Sequence, residues 1–344
     1  MGKVEREDDR SHLATEPEMS LPKIAVTMGD PAGIGPEVCL HLLQNKEVAE
    51  QCVPIIFGDK VVLEQAADQC NLPEPEKYIG GLAEADGPCV LDIGAIGLGD
   101  FETGKVNAAT GRAGFAYAEN AIDAALGGQV AGVTTGPLNK EALRAAGISF
   151  PGHTEIFAEK THAQRFCMMQ YSSEVRCVFA TTHVPYSEVP ALLTKERILD
   201  VLELGAQAMR RIGCISGHEP KIGVLGLNPH AGEHGLFGEE EEQVIIPAIE
   251  AARAKGFDVE GPIPPDTAFI PAKRRATDFF VCMYHDQGHI PLKALAFDNA
   301  VNTTLGLPII RTSVDHGTAL DIAGQGKANP GSLFEAVKLA LKFI

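Results

Sequence analysis

Short runs of strand-forming residues alternate along this chain with longer stretches of helical periodicity. The runs are rich in Val, Ile and Phe, are bounded by Gly or Pro, and cover residues 23–27, 53–58, 132–135, 221–226 and 279–283. Apolar positions recur at helical spacing over residues 36–43, 113–126, 195–212, 239–255 and 332–344. Apolar strands that alternate with amphipathic helices predict an α/β fold with largely parallel strands. The acidic run at 239–242 is expected to be the solvated first turn of its helix.

The composition narrows the class of protein. Hydrophobic residues make up 45% and charged residues 22% of the 344 positions, which is typical of a globular protein of about two domains. The net charge of −17 repels phosphate backbones and anionic lipids, so nucleic-acid and membrane partners are not expected. No apolar run approaches the ~18 residues of a membrane span, and residues 1–20 lack the apolar core of a secretory signal. The eight scattered cysteines are therefore expected to be reduced, in a cytoplasmic protein.

The chain shows no linker at which it would divide into consecutive domains. Residues 1–20 are polar, carry nine charged side chains and lack periodicity, which predicts a disordered leader. We expect two interleaved α/β domains in the remainder. The first would comprise residues 21–135 and 303–344 with a cofactor loop, and the second would comprise residues 136–302 with candidate metal ligands.

A glycine-rich segment, MGDPAGIGPE at residues 28–37, follows the first predicted strand and opens a helix. Its glycines at 29, 33 and 35 permit a tight strand-to-helix turn, and Pro36 suits the first helical turn. The dinucleotide fingerprint G-x-G-x-x-G is absent, so a Rossmann domain is not predicted. The pattern is compatible with a plain turn and equally with a ligand contact.

Three histidines occupy the same position relative to predicted strands. His183, His230 and His285 each follow an apolar run after one or two intervening residues: CVFA, IGVLGL and FFVCM. Ligands of open α/β sheets bind outside the carboxyl ends of strands, where these imidazoles can meet. Three histidines with open coordination positions are typical of a catalytic divalent-metal site.

Other segments carry groups that suit two kinds of ligand: an anion, and a flat molecule attached to a ribose. His153 and Thr154, in the loop GHTE, supply an imidazole and a hydroxyl to a phosphate or carboxylate. Lys293 and Arg311, with Asn302 between them, can neutralise a dianionic phosphate. The stretch DHGTALDIAGQGKANP, residues 315–330, lets backbone approach a flat ligand, and its Asp321 can accept hydrogen bonds from a ribose diol.

Together these segments resemble the 4-hydroxythreonine-4-phosphate dehydrogenase family of pyridoxal phosphate biosynthesis. Seven motifs occur in the family's order and spacing: MGDPAGIGPE, GHTE, TTHVP, NPHAGE-x-G-x-FG, GPIPPDT, YHDQGHIPLK and VNTTLGLPIIRTSVDHGTALDIAG. The last motif is also similar to the adenosine loop of isocitrate and isopropylmalate dehydrogenases. The resemblance implies two interleaved α/β/α domains with a cleft between them, in an isocitrate dehydrogenase-like arrangement.

The resemblance also implies the site residues. The metal ligands, for Zn, Mg or Co, would be His183, His230 and His285. The substrate contacts would be His153, Thr154, Lys293, Asn302 and Arg311. The contacts to NAD or NADP would be His316, Gly317, Asp321 and Ala323. In the family the site is shared across a homodimer, and the partner donates one metal histidine.

The activity implied is NAD(P)-dependent oxidation of 4-phosphooxy-L-threonine, followed by decarboxylation to 3-amino-2-oxopropyl phosphate. NAD is favoured, because a carboxylate at Asp321 would repel the 2′-phosphate of NADP. Asp286 and Asp266 are candidates for the general base. One alternative is oxidative decarboxylation of D-threonate or D-erythronate 4-phosphate to dihydroxyacetone phosphate, and others are a non-catalytic sugar-phosphate binding protein and a zinc hydrolase.

Overall fold

The computed structural model describes residues 20–214, 217, 219–297 and 299–344, so the predicted leader, apart from Ser20, lies outside the described residues. The strands are β1 (Lys23–Thr27), β2 (Val53–Gly58), β3 (Tyr78–Ile79), β4 (Cys89–Asp92), β5 (Gly132–Thr135), β6 (Cys167–Tyr171), β7 (Arg176–Phe179), β8 (Lys221–Leu225), β9 (Asp258–Ile263), β10 (Phe279–Cys282), β11 (Val301–Leu305) and β12 (Arg311–Val314). The helices are α1 (Gly35–Leu43), α2 (Lys46–Ala49), α3 (Lys60–Cys70), α4 (Ala108–Leu126), α5 (Lys140–Ala145), α6 (His153–Lys160), α7 (Val189–Leu192), α8 (Lys195–Ile212), α9 (Ile246–Ala254), α10 (Pro265–Ala268), α11 (Pro271–Ala276), α12 (His285–Ala296) and α13 (Gly331–Lys342).

The strands form one mixed sheet. Its order is β3-β4-β2-β1-β5-β12-β11-β6-β7-β10-β8-β9. The strands from β3 to β12 pair in parallel, as do those from β7 to β9. The three pairings at the centre, β12–β11, β11–β6 and β6–β7, are antiparallel. The two parallel parts therefore run in opposite directions on either side of an antiparallel centre.

The α/β prediction is confirmed, and several elements have the predicted bounds. β1, β2, β5 and α8 begin and end at the predicted residues. The antiparallel centre was not predicted, because its strands are short and give no period-2 pattern. The predicted boundary between residues 302 and 303 lies within β11, and the two-domain division stays a prediction.

Apolar side chains pack on both parts of the sheet. One cluster draws on residues 24–157 and on 314–337, and a second draws on residues 167–305 and on 336–343. All eight cysteines belong to the described residues, and each is a free thiol, as expected. Within the described part of the chain, no helix has the length and apolarity to cross a membrane.

The glycine-rich segment at residues 28–37 is a buried turn between β1 and α1. A Cβ on Gly29, whose φ is +80°, would lie 2.3 Å from the carbonyl oxygen of Pro137. A Cβ on Gly33 would lie 2.8 Å from the carbonyl oxygen of Thr318, which accepts a hydrogen bond from the Ile34 amide. These glycines therefore serve close packing of backbone against the segments that follow β5 and β12.

Asp30 lies in this turn with only 1% of its surface exposed. Its Oδ1 accepts a hydrogen bond from the Ala32 amide at 2.9 Å, and its Oδ2 accepts a long one, 3.4 Å, from the Thr110 hydroxyl. Burial nevertheless raises the pKa of Asp30 to about 6. Because this pKa is raised above its ordinary value of 3.8, the stability that the neutral acid contributes is lost as the pH rises through 6.

We expect Asp30→Asn to raise the free energy of unfolding at pH 7.5 by up to about 3 kcal/mol, since the amide is never charged. The gain should shrink as the pH falls through 6 and vanish below about 3, where the wild-type acid is neutral in both states. Urea unfolding at a series of pH values measures this difference. The matched control, Asp68→Asn on the exposed side of α3, should show no such dependence. A gain that is independent of pH would contradict the assignment.

Candidate active site

A cavity of about 270 Å³ lies against one face of the antiparallel centre of the sheet. All five predicted substrate contacts line it, namely His153, Thr154, Lys293, Asn302 and Arg311. Two of the predicted metal ligands, His183 and His285, line it as well. Sequence positions that are more than 150 residues apart thus meet in one place.

The register of the central strands brings the polar wall of this cavity together. Gln170 on β6 is paired with Asn302 on β11, which is paired in turn with Ser313 on β12. Alternate residues of a strand share a face, so Met168 and Arg311 lie on the same side as these three. The cavity wall is therefore a set of cross-strand neighbours.

Arg311 is a buried cation, with 2% of its surface exposed. Its two terminal nitrogens donate to the hydroxyls of Thr304, at 2.9 Å, and Thr135, at 2.8 Å, while its Nε has no partner among the described residues. Burial lowers the pKa of Arg311 to about 9, and the charge of Glu155 opposes this only in part. A guanidinium that remains charged at neutral pH without a bonded carboxylate is suited to an anionic ligand.

His153 and Thr154 form the first turn of α6, beside Arg311. The Thr154 hydroxyl lies 3.5 Å from that of Thr304. Desolvation, reinforced by the charge of Arg311, holds the pKa of His153 well below its usual range. The ring is therefore neutral, and its buried Nε2 has no partner among the described residues.

His183 and His285 face each other at the cavity rim, with ring centroids 5.5 Å apart. Partial burial, together with the charge of Lys140, lowers the pKa of His183, which favours the neutral, metal-binding form. His285 Nδ1 lies 2.7 Å from Oδ1 of Asp286, whose Oδ2 accepts a hydrogen bond from Tyr186 at 2.5 Å. Asp286 is therefore bonded to His285 in the manner of a carboxylate that orients a metal-binding imidazole. This arrangement fits a divalent cation at His285 Nε2.

His230 does not line this cavity. It follows β8, which is separated from β7 by β10, and its side chain is 62% exposed beside the Glu233 carboxylate, 3.1 Å away. Within the described residues, no three His, Cys, Asp or Glu side chains form a group that could hold a metal ion. One chain therefore brings together two of the three predicted ligands.

The turn that carries His230 is held by a buried carboxylate. Glu241 is 1% exposed and accepts hydrogen bonds from the amides of Leu227, at 2.7 Å, and Asn228, at 2.8 Å, with the Asn228 side chain on its second oxygen. The expectation of a solvated helical turn at 239–242 is wrong for this residue, and residues Glu241–Ile245 form a π-helical turn that precedes α9. The Glu241 carboxylate thus accepts hydrogen bonds from two backbone amides and one side-chain amide, which would otherwise lack partners.

The remaining predicted residues divide between the cavity and its surroundings. His316 and Gly317 line the cavity at the end of β12. Asp321 and Ala323 lie further along the same loop, and Asp321 is exposed. Asp266, the second candidate base, is exposed on α10, which packs against the turn of His230 and not against the cavity.

The structure adds three polar residues that sequence reasoning missed. Gln170 donates through Nε2 to Oδ1 of Asp315 at 2.7 Å, and the same nitrogen lies 3.1 Å from Nε2 of His289. Lys293 lies 3.5 Å from the second oxygen of Asp315. Burial, together with the charge of His285, lowers the pKa of His289 to about 4, so its ring is neutral. No local pattern in the sequence predicts that these residues meet, because they lie on three separate elements.

Buried polar atoms without partners concentrate at this cavity. Within the described residues, such atoms include His153 Nε2, Glu155 Oε2, Gln170 Oε1, Asn302 Oδ1, Arg311 Nε and His316 Nε2, all from cavity-lining residues. Each uncompensated group costs about 1–3 kcal/mol. Donors and acceptors that converge unpaired on one space indicate a ligand with both kinds of group.

A sequence model of the family "Pyridoxal phosphate biosynthetic protein PdxA" matches residues 50–340. The chain belongs to this family. It is 43% identical over 328 residues to a 4-hydroxythreonine-4-phosphate dehydrogenase of Desulforapulum autotrophicum, covering 93% of this chain and 94% of that protein. It is 44% identical over 328 residues to a D-threonate 4-phosphate dehydrogenase of Cupriavidus necator, covering 92% and 96%.

A solved structure agrees with these sequence comparisons. The crystal structure of a 4-hydroxythreonine-4-phosphate dehydrogenase from Klebsiella pneumoniae superposes with a TM-score of 0.81 at 41% identity, covering 94% of this chain and 99% of that chain. The protein is a dehydrogenase that acts on a CH–OH group with a nicotinamide cofactor. The binding-protein and zinc-hydrolase alternatives are not supported.

We expect Arg311→Met to lower kcat/KM for a phosphorylated substrate at least about 100-fold, since a charge-assisted contact to an anion is worth about 3 kcal/mol. The free energy of unfolding without ligand should change little, because the lost hydrogen bonds are offset by removal of an unpaired buried charge. Steady-state kinetics and urea unfolding measure the two quantities. Arg112→Met, on the exposed side of α4, is the control and should change neither. Unchanged kcat/KM in Arg311→Met would refute the anion site.

Proposed function

We propose that this enzyme oxidises the C3 hydroxyl of a four-carbon acid phosphorylated on C4, and that the resulting 3-keto acid loses CO₂ in the same site. The observation that carries the proposal is the single cavity that joins the buried Arg311 cation to the facing imidazoles of His183 and His285. An anion-binding end and a metal-binding end in one small space suit a substrate with charge at its ends and a hydroxyl between them.

The name of the Desulforapulum autotrophicum relative supports 4-phosphooxy-L-threonine as the substrate, which would give 3-amino-2-oxopropyl phosphate. The name of the Cupriavidus necator relative supports a second candidate, D-threonate 4-phosphate, which would give dihydroxyacetone phosphate. D-Erythronate 4-phosphate carries the same functional groups and would give the same product. These substrates share the C3 hydroxyl, the carboxylate and the phosphate. They differ in the substituent on C2, which is an amine in the first and a hydroxyl in the others.

The chain's own residues bind and orient the substrate. Arg311 and Lys293 supply positive charge for the phosphate and carboxylate, and Asn302, His153 and Thr154 supply hydrogen bonds beside them. A nicotinamide cofactor held by the loop of His316, Gly317, Asp321 and Ala323 would accept the hydride of C3, so that the alcohol becomes a ketone and its hydroxyl proton passes to solvent. The electron pair of the departing carboxylate is then retained on C2, which takes up a proton.

We propose that His183 and His285 of one chain and His230 of a second copy hold a divalent cation: Zn, Mg or Co. Such an ion, when bound, stabilises negative charge on the substrate oxygen during both steps. Asp286 fixes the tautomer of His285 through the 2.7 Å contact to Nδ1, leaving Nε2 free as a ligand. This contact makes Asp286 a positioning residue.

The exposed turn of His230 supports a shared site in a homodimer. Leu236 and Phe237, in the same loop, are 70% and 47% exposed, and adjacent exposed apolar side chains are typical of a surface that another chain covers. His230 is thereby available to a second copy, while its own cavity lacks it.

The reaction is tested by supplying the purified enzyme with 4-phosphooxy-L-threonine, D-threonate 4-phosphate and D-erythronate 4-phosphate, with NAD and with NADP. We expect reduced cofactor and CO₂ to form in equal amounts with at least one of these substrates, and none with its unphosphorylated counterpart. NAD should be preferred, because Asp321 would repel the 2′-phosphate of NADP, and Asp321→Asn should reduce that preference. Turnover of none of the three acids would overturn the proposal.

The shared metal site is tested by mixing two inactive variants, Lys293→Met and His230→Ala. In a mixed dimer, one cavity keeps Lys293 and receives His230 from the other chain. An equal mixture should therefore recover about a quarter of wild-type activity, as random reassortment of a symmetric dimer requires. A chelator should abolish the recovered activity, and a divalent ion should restore it. An active monomer, or a mixture as inactive as its components, would refute the shared site.

A further inference from the structure

Gln170 has an unused hydrogen-bond acceptor in the wall of the active-site cavity. The residue is fully buried at the end of β6, and its Oε1 has no partner among the described residues. It lies directly across from Asn302, whose Oδ1 also lacks a partner. An acceptor left unpaired in a buried position costs stability unless a ligand or water completes it.

The neighbours of Gln170 determine which way its amide points. Oδ1 of Asp315 lies 2.7 Å from Nε2, and a carboxylate can only accept, so this atom is the amide nitrogen. His289 confirms the orientation, because its Nδ1 lies 2.9 Å from the carbonyl oxygen of His285 and must carry the proton. Its Nε2 is then an acceptor, and the Gln170 nitrogen 3.1 Å away is the donor.

Packing holds this arrangement in place. The ring of His289 stacks on that of His285, with centroids 3.7 Å apart and planes inclined by 10°, and on Phe179 at 4.7 Å. Lys293 holds the other oxygen of Asp315 at 3.5 Å. The amide nitrogen is thus bound by two acceptors, and Oε1 is the one group that Gln170 has left to offer.

The chemistry of the proposed substrates identifies the partner of that oxygen. Phosphate and carboxylate oxygens are acceptors and would be repelled by Oε1. The C3 oxygen develops negative charge as it is oxidised, so an acceptor beside it would oppose the reaction. The substituent on C2, amine or hydroxyl, keeps its hydrogen throughout the oxidation.

We infer that Gln170 is a specificity residue that accepts a hydrogen bond from the N–H or O–H group on C2 of the substrate, held in orientation by His289 and Asp315. This inference rests on the proposed function. It deepens that proposal by assigning a residue to the one position at which the candidate substrates differ. A site that presents an acceptor to a substrate donor discriminates strongly against the analogue that lacks the donor.

The test compares three acids as substrates for the wild type and for Gln170→Met, which keeps the side-chain length and removes the amide. The acids are 4-phosphooxy-L-threonine, D-threonate 4-phosphate and the 2-deoxy analogue, 3-hydroxy-4-phosphooxybutanoate. For the wild type, we expect kcat/KM on the better natural substrate to exceed that on the deoxy acid at least about 30-fold. For Gln170→Met this ratio should fall to within about threefold, because the hydrogen bond to the C2 substituent is lost only by the acids that carry a donor there.

The two C2 substituents are distinguished in the same experiment. The acid that loses more in Gln170→Met carries the donor for which the subsite is built. A merely structural role of Gln170 would lower kcat/KM by one common factor for all three acids, and that outcome would overturn the inference. Gln129→Met, at an exposed position after α4, is the matched control and should leave every ratio unchanged.

If Gln170→Met does not fold, the kcat/KM values of the wild type alone test the inference. Equal kcat/KM of the wild type on the deoxy acid and on the better natural substrate would exclude a hydrogen bond to C2 by itself. Failure of the proposed function looks different, because the wild type would then turn over none of the three acids.

Discussion

The active site depends on the antiparallel pairing of β11 with β6 and β12. This pairing sets Gln170 opposite Asn302 and Asn302 opposite Ser313, on the face that also carries Arg311. Because successive residues of a strand point to opposite faces, a slip of one residue in β11 would turn Asn302 away from the cavity and expose Thr303 in its place. The register of three short strands therefore decides whether the cavity has a polar wall.

The antiparallel centre of the sheet also determines where the guanidinium of Arg311 is buried. Among the described residues, the nitrogens of Arg311 donate hydrogen bonds to two threonine hydroxyls, and the buried charge is suited to compensation by an anionic ligand. A well-packed apolar residue at this position would support the ligand-free fold about equally well, because the two hydrogen bonds that it loses are offset by the removal of a buried charge. What the cation adds is affinity for an anion, since a buried guanidinium binds an anion more strongly than an exposed one does.

Two further segments place polar groups through backbone contacts. The turn at residues 28–37 packs against Pro137 and Thr318 so closely that glycine is required at 29 and 33, and it thereby supports the loop that begins with His316 and Gly317. The buried carboxylate of Glu241 holds the turn of His230 at the far side of β8. Both segments act by fixing backbone, and their side chains do not line the cavity of their own chain.

Local sequence patterns predicted much of the secondary structure and most of the polar residues of the candidate site. The bounds of β1, β2 and β5 could be predicted, because each strand is a short apolar run next to glycine or proline. These limits depend on residues that are close together in the chain. Motifs predicted five substrate contacts, and all five residues line the cavity. Three features could be found only in the folded chain. His230 lies apart from His183 and His285, and Glu241 is buried. Gln170 contacts His289 and Asp315. These facts depend on which strands pair, and in which direction, between segments far apart in the chain, and no local pattern of residues encodes that choice.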